Sequence, residues 1–323
     1  KNNDILPLQN PQNINNKILV TGPNANNQSI LGDWHNPQPA KNVYTVYEGI
    51  EKIGAEMGYT VDYHEFNENI KQISNNDIDK TIEIANQYDI VFVVVGDNSM
   101  RYKWKQKTAG ENTARTELNL AGKQLDLVMK LKDTGKNIIV LYVNGRPISE
   151  PWISENINAI IELWEPGNLG GLAAAEIIFG KINPSGKLPL TIASSVGQLK
   201  MFYNHKHSMY YRDYAIYNNR PLYYFGFGLS YTKFEISEPK LKSLTFTKGK
   251  LRVSVDVKNV GEISGDEIVQ LYISDKYSSV TRPVKELKGF KRVSLNPGEL
   301  KEIIFELDKS AFAYYDAEMN YII

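Results

Sequence analysis

The chain has 323 residues, and its 37 lysines and arginines are balanced by 37 aspartates and glutamates, so no net field draws it toward nucleic acid or an anionic membrane. Hydrophobic residues make up 42%, yet no apolar run approaches the ~18 residues that span a bilayer. The chain has no cysteine, which excludes disulfides and thiolate chemistry.

In chain order, Lys17 to Thr21 reads as a first buried strand ending at Gly22-Pro23, and the loop beyond it carries Gly32-Asp33-Trp34-His35. Val46, Ile50, Ile53 and Met57 share one face of a helix over about 44–57, which Gly58 stops. Tyr59 to His64 is a second strand, and a second helix runs from Ile78 to Tyr88 with Asn76 or Asp77 as its cap. Ile90 to Val95 is an unbroken apolar run and hence a strand buried on both faces. A helical pattern begins near Ala121 and is marked by Leu125, Val128, Met129 and Lys132. Further strands follow at 137–143 and 159–163, then a small-residue helix from Gly170 to Phe179. This alternation predicts an α/β domain over 1–199, with a mostly parallel wound sheet and helices on both faces.

In such sheets ligands sit beyond the carboxyl ends of the strands. That rule puts four loops on one rim: 32–35, 96–115, 144–147 and 164–167. The second of these is far longer than the ~2–6 residues that normally join strand to helix. It carries Met100, Tyr102 and Trp104, which argue against a solvated linker, and one acid, Glu111, beside Ala109 and Gly110. Arg101, Lys103, Lys105 and Lys107 stand close enough in sequence to pair with that acid, whereas a general acid needs a raised pKa. Small neighbours and a covering aromatic could supply it by excluding water, and the sequence leaves the choice open. Asp97 and Asn98 read as residues that close the loop by hydrogen bonds.

Residues 200–236, rich in Tyr, Asn, His and Gly, read as a long ordered connection. From Leu251 the apolar period becomes 2, through Val253, Val255 and Val257, then Val269, Leu271 and Ile273, then 287–295 and 303–307. Short strands with turn signals predict a small antiparallel β-sandwich over 237–323. The final run, Tyr321 to Ile323, leaves that sandwich one strand short, and the first residue is Lys1 rather than Met, so both ends are expected to continue.

Gly180 to Lys187 looks like a phosphate loop but has five residues between its glycines, contains Pro184, and is followed by Leu188 where Ser or Thr is required. Gly96 and Gly110 are too far apart for a dinucleotide fingerprint. No cofactor is expected, which leaves a flavodoxin-like nucleotide-binding domain as a weak rival. His205 and His207 could face one way, but with no third ligand evident no metal site is assigned.

The rim loops together resemble the family 3 glycoside hydrolases. The resemblance is carried by Gly110–Gln124, Val143–Pro147 (Val-Asn-Gly-Arg-Pro), Trp164–Gly167, Asn183–Pro189 and Tyr224–Tyr231, and in the β-rich part by 259–261, 265–272 and 282–290. It covers nearly the whole chain in the family's order, departing at Ala121, where many members have Pro, and at Ala114, where many have Asp. It implies a β-glucosidase-like enzyme, retaining and exo-acting, that removes terminal non-reducing β-D-glucosyl residues. It also implies an all-β domain of the fibronectin type III kind. Glu111 falls at the family's general acid/base, Trp34 at an aromatic platform for the leaving-group sugar, and Trp104 is a second stacking candidate. Arg115 is expected to anchor the loop.

The family's nucleophile is an aspartate of an N-terminal barrel that precedes these domains. Asp33, in Gly-Asp-Trp, resembles that motif only superficially and lies in the wrong domain. Retaining hydrolysis needs two carboxyl groups ~5–5.5 Å apart, so the chain by itself is expected to be inactive until a barrel, from the same gene or another chain, completes it. The alternatives are a β-xylosidase of the same family and a non-catalytic carbohydrate-binding or scaffold module. A β-linked glycoside is the expected partner, and an extracellular or periplasmic location is favoured over a cytoplasmic one.

Overall fold

In a computed structural model, residues 1–9, 16–206, 213–215, 218–241 and 249–323 are described. They form two compact units, Lys1–Ile182 with Ala193–Leu199, and Asn183–Ile192 with Lys200–Ile323.

The first unit is built on five parallel strands, β1 (Lys17–Thr21), β2 (Thr60–Tyr63), β3 (Ile90–Gly96), β4 (Asn137–Val143) and β5 (Ala159–Glu162). Their order in the sheet is β2-β1-β3-β4-β5. The helices are α1 (Val46–Glu56), α2 (Asn75–Ala85), α3 (Gln124–Asp133), α4 (Pro151–Asn156) and α5 (Gly170–Ile178). Val91, Val93 and Val95 of β3 join Ile138 and Val140 of β4 in one core with residues of α2, α3 and α4. Side chains alternate across a strand, so Phe92, Val94, Ile139 and Leu141 point to the opposite face and are also buried. Helices α1 and α5 pack together so closely that a Cβ on Gly49 would lie 2.0 Å from the Gly171 carbonyl oxygen, which requires glycine there.

The caps explain where two helices begin. Thr45 and Glu48 cap α1 reciprocally: the Glu48 N–H donates to Thr45 Oγ1 (3.2 Å) and the Thr45 N–H donates to Glu48 Oε2 (2.8 Å). The cap expected at Asn76 or Asp77 lies instead at Ser74, with Asp77 as its partner three residues on. Helix α3 starts at Gln124 rather than near Ala121, since Gly122 has φ +61°. Helix α4 leaves no mark in the sequence pattern, because its six residues are too few to display a helical period.

The second unit contains β6 (Phe234–Ile236), β7 (Lys240–Leu241), β8 (Lys250–Asn259), β9 (Gly265–Ile273), β10 (Glu286–Leu295), β11 (Leu300–Asp308), β12 (Tyr314–Tyr315) and β13 (Tyr321–Ile322). Strand β8 pairs antiparallel with β11, β6 and β7, while β9 pairs with β10 and β12 with β13. The period-2 positions Val255, Val257 and Val269 form its core with Val293, Leu295 and Phe305. The segment that resembled a phosphate loop is a tied turn: Asn183 Oδ1 accepts from Ser230 Oγ (2.9 Å) and the Tyr231 N–H (2.8 Å), and Lys187 pairs with Glu267 (2.9 Å). In the 200–236 stretch, which falls in this unit, Tyr203 stacks on Phe225 with centroids 4.2 Å apart.

Candidate active site

The strand order decides the site. Chain connections leave β1 toward β2 on one side and β3 toward β4 on the other, so the loops after β1 and β3 diverge from neighbouring carboxyl ends. A crevice opens at such a switch point.

Both ends of the long β3–α3 loop are pinned. Gln124, fully buried, accepts from the Gly96 N–H (2.8 Å) and donates to the Gly96 carbonyl (2.9 Å). Arg146, in the Asn-Gly-Arg-Pro turn after β4, pairs with Asp97 (2.9 Å) at the start of the loop. The same guanidinium donates to the carbonyls of Leu118 (2.9 Å) and Asn119 (3.0 Å) near its end. Asp97 also accepts from Thr108 Oγ1 (3.0 Å), and Asn98 Oδ1 accepts from the Met100 N–H (3.0 Å). Arg115 donates to the Asn119 carbonyl (2.9 Å). These residues close and anchor the loop.

Between the pins the chain makes a kinked 3-10 stretch, Arg101–Gln106, with Met100, Thr108 and Ala109 buried beside it. It then turns at 110–113, where the Thr113 N–H donates to the Gly110 carbonyl (3.1 Å). Asn112, third in the turn, has φ +57°, a conformation that asparagine tolerates better than most residues. Gly110 has φ +94°, and a Cβ there would lie 2.6 Å from Asp33 Oδ2. Glu111 therefore occupies the corner of a sharp turn, with its side chain 46% exposed.

Asp33 reaches this turn from the β1 loop. One carboxylate oxygen accepts from the Glu111 N–H (2.6 Å) and the other from Lys107 Nζ (2.9 Å). Burial works to raise the Asp33 carboxyl, but the hydrogen bonds from Lys107 and Glu111 and the nearby cations outweigh it and hold it below the usual carboxylate range. Of the four cations flanking Glu111, only two reach it. Arg101 donates to its carboxylate and Lys107 to its backbone carbonyl (3.0 Å), whereas Lys103 pairs with Glu68 and the Lys105 carbonyl accepts from Lys71 (3.0 Å).

Trp34 is 74% exposed and Trp104 49%. The Arg101 guanidinium carbon lies 3.7 Å from the Trp34 ring centroid and 5.9 Å from that of Trp104. One arginine thus bridges all three residues singled out from the sequence. The sequence did not reveal the roles of Arg101, Lys107, Asp33 and Arg146; the run of cations before Glu111 was a signal, but nothing in it told pairing from solvated lysines.

Two more acids stand on this rim. Glu165, raised by burial, accepts from Ser99 Oγ (2.6 Å). Burial pushes the Glu162 carboxyl up to about 8, against hydrogen bonds from the Trp164 N–H and Asn144. Among the described residues no group of three or more His, Cys, Asp or Glu side chains is arranged to hold a metal, and His207 lies outside them. Nor is any described helix long and apolar enough to cross a membrane.

Residues 1–231 match the glycosyl hydrolase family 3 C-terminal domain, and 267–323 a fibronectin type III-like domain. A periplasmic β-glucosidase of Salmonella typhimurium is 36% identical over 94% of the chain and 43% of its own length. A β-xylosidase of Formosa agariphila is 37% identical over 94% of the chain and 42% of its own length. The crystal structure of a Listeria innocua β-glucosidase with glucose superposes with a TM-score of 0.86 at 30% identity, over 99% of this chain and 44% of that one. A β-glucosidase of intestinal bacteria involved in saponin metabolism gives 0.88 at 29% identity, over 100% and 49%. The chain spans less than half the length of each of these proteins.

Proposed function

The chain belongs to glycosyl hydrolase family 3, and from that premise we propose that it is the part of a retaining, exo-acting β-glucosidase that supplies the general acid/base, Glu111. The observation that carries this reading is the placement of Glu111 at the corner of a pinned turn beyond the carboxyl end of β3, its side chain 46% exposed and joined to Trp34 through Arg101, which pairs with the carboxylate and lies over the ring.

In this reading Glu111 protonates the glycosidic oxygen as its bond to the anomeric carbon breaks. An aspartate of the N-terminal barrel takes the anomeric carbon, and Glu111 then accepts a proton from the water that frees the sugar. Asp33 is not that nucleophile, since its two oxygens are engaged by Lys107 and the Glu111 N–H. Trp34 and Trp104 offer apolar faces to the sugar beyond the scissile bond. The bound glucose of the Listeria relative supports a glucosyl substrate, while the β-xylosidase of Formosa, at 37% identity, keeps a xyloside as the second reading. The name of the Salmonella relative supports an extracytoplasmic, periplasmic location.

The test combines the chain with the barrel and an aryl β-glucoside, with the aryl β-xyloside in parallel. Hydrolysis lost in Glu111→Ala and partly restored by azide is the expected result. Sugar binding without turnover, unaltered by that substitution, would instead identify a carbohydrate-binding module.

A further inference from the structure

Lys107 is the most unusual group near Glu111. Its side chain is 1% exposed, although a lysine is almost never fully buried without a partner. Its Nζ donates to Asp33 Oδ1 (2.9 Å) and to the Glu111 carbonyl (3.0 Å), and lies 4.7 Å from the Trp104 ring centroid. Asp33 completes the grip by accepting from the Glu111 N–H (2.6 Å). The two charges thus hold both backbone polar groups of a single residue and leave its carboxylate to Arg101. A buried ion pair is a weak device for stability, because desolvating both ions offsets their attraction. It is an effective device for fixing geometry.

We propose that Asp33 and Lys107 are positioning residues: by gripping the N–H and carbonyl of Glu111 they set where its carboxylate meets the glycosidic oxygen. The proposal rests on the assignment of Glu111 as acid/base and extends it to two residues 74 positions apart. Neither touches substrate. A displacement of ~1 Å at a reacting group costs on the order of a hundredfold in rate.

The test uses the barrel-containing enzyme and two aryl glycosides of its preferred sugar. One has a phenolate leaving group that must be protonated, the other a dinitrophenolate that departs without help. Lys107→Met is expected to lower kcat/KM for the phenyl glycoside about ten- to a hundredfold and to leave the dinitrophenyl glycoside nearly untouched, as acid misplacement predicts. The double variant Asp33→Asn with Lys107→Met, which leaves no lone buried charge, is expected to do the same and serves if the single variant does not fold. Equal loss on both substrates, or no loss, while Glu111→Ala keeps its leaving-group selectivity would overturn the positioning role and spare the assignment of Glu111. A Glu111→Ala variant that slows both substrates alike would overturn that assignment and this proposal with it.

Discussion

Arg101 lies over the Trp34 ring, its guanidinium carbon 3.7 Å from the ring centroid, and the same guanidinium donates to the Glu111 carboxylate. One face of the ring expected to receive a sugar is therefore covered by a cation, while Trp34 as a whole stays 74% exposed. A cation over an exposed ring is worth about 0.5–1 kcal/mol, an obstacle that a sugar can displace.

Arg101→Ala should uncover Trp34. With a disaccharide, KM is expected to fall about two- to fivefold, the equivalent of the lost stacking contact. With a phenyl glycoside, which places no sugar on the platform, KM is expected to change less. A rise in the disaccharide KM would show that Arg101 binds the sugar itself.

Arg146 ties both ends of the long loop through Asp97, Leu118 and Asn119. Arg146→Met leaves the buried Asp97 carboxylate without its partner, and such losses cost about 3–5 kcal/mol. Urea unfolding should report a loss on the order of 3 kcal/mol, with faster hydrogen exchange across residues 97–119. Adding Asp97→Asn should recover part of the stability, because the stranded charge is then gone.

Glu162 makes stability depend on pH in a defined direction. Its folded carboxyl titrates at about 8, above the ordinary value of 4.5, so between these limits the folded chain holds a proton that the unfolded chain has lost. Stability present at acidic pH is thus lost as pH rises through about 8, and levels off above it. Glu162→Gln should flatten this part of the Tm-against-pH curve and raise Tm at pH 9. Coincident curves for the two proteins would refute the burial argument.

Asn259 is fully buried in the second unit with its side chain satisfied on both ends. It donates to the carbonyls of Ile263 (2.8 Å) and Leu295 (3.1 Å) and accepts from Thr232 Oγ1 (2.8 Å) and the Gly261 N–H (3.1 Å). Asn259→Ala orphans these groups at about 1–3 kcal/mol for each left dry. The urea midpoint should fall by an amount corresponding to on the order of 3 kcal/mol, without any change in the exchange of residues 97–119.

Local burial was written in the residues themselves. The run Ile90–Val95 demanded a strand covered on both faces, the alternation through Val253, Val255 and Val257 demanded a sheet with one dry face, and the motifs around Glu111 carried the family. What the sequence could not settle was which distant segments meet. Periodicity records how each stretch is covered, whereas strand order depends on contacts between segments far apart in the chain. The order β2-β1-β3 brought Asp33 and Trp34 to Glu111. The fold alone sorted the neighbouring cations into Arg101, which takes the carboxylate, Lys107, which grips the backbone, and Lys103, which pairs with Glu68 instead. It also assigned Ser74 rather than Asn76 or Asp77 as a cap, because Asp77 was needed as the reciprocal partner. Spacing along a chain sets which face a side chain takes, and only the folded packing sets what that face meets.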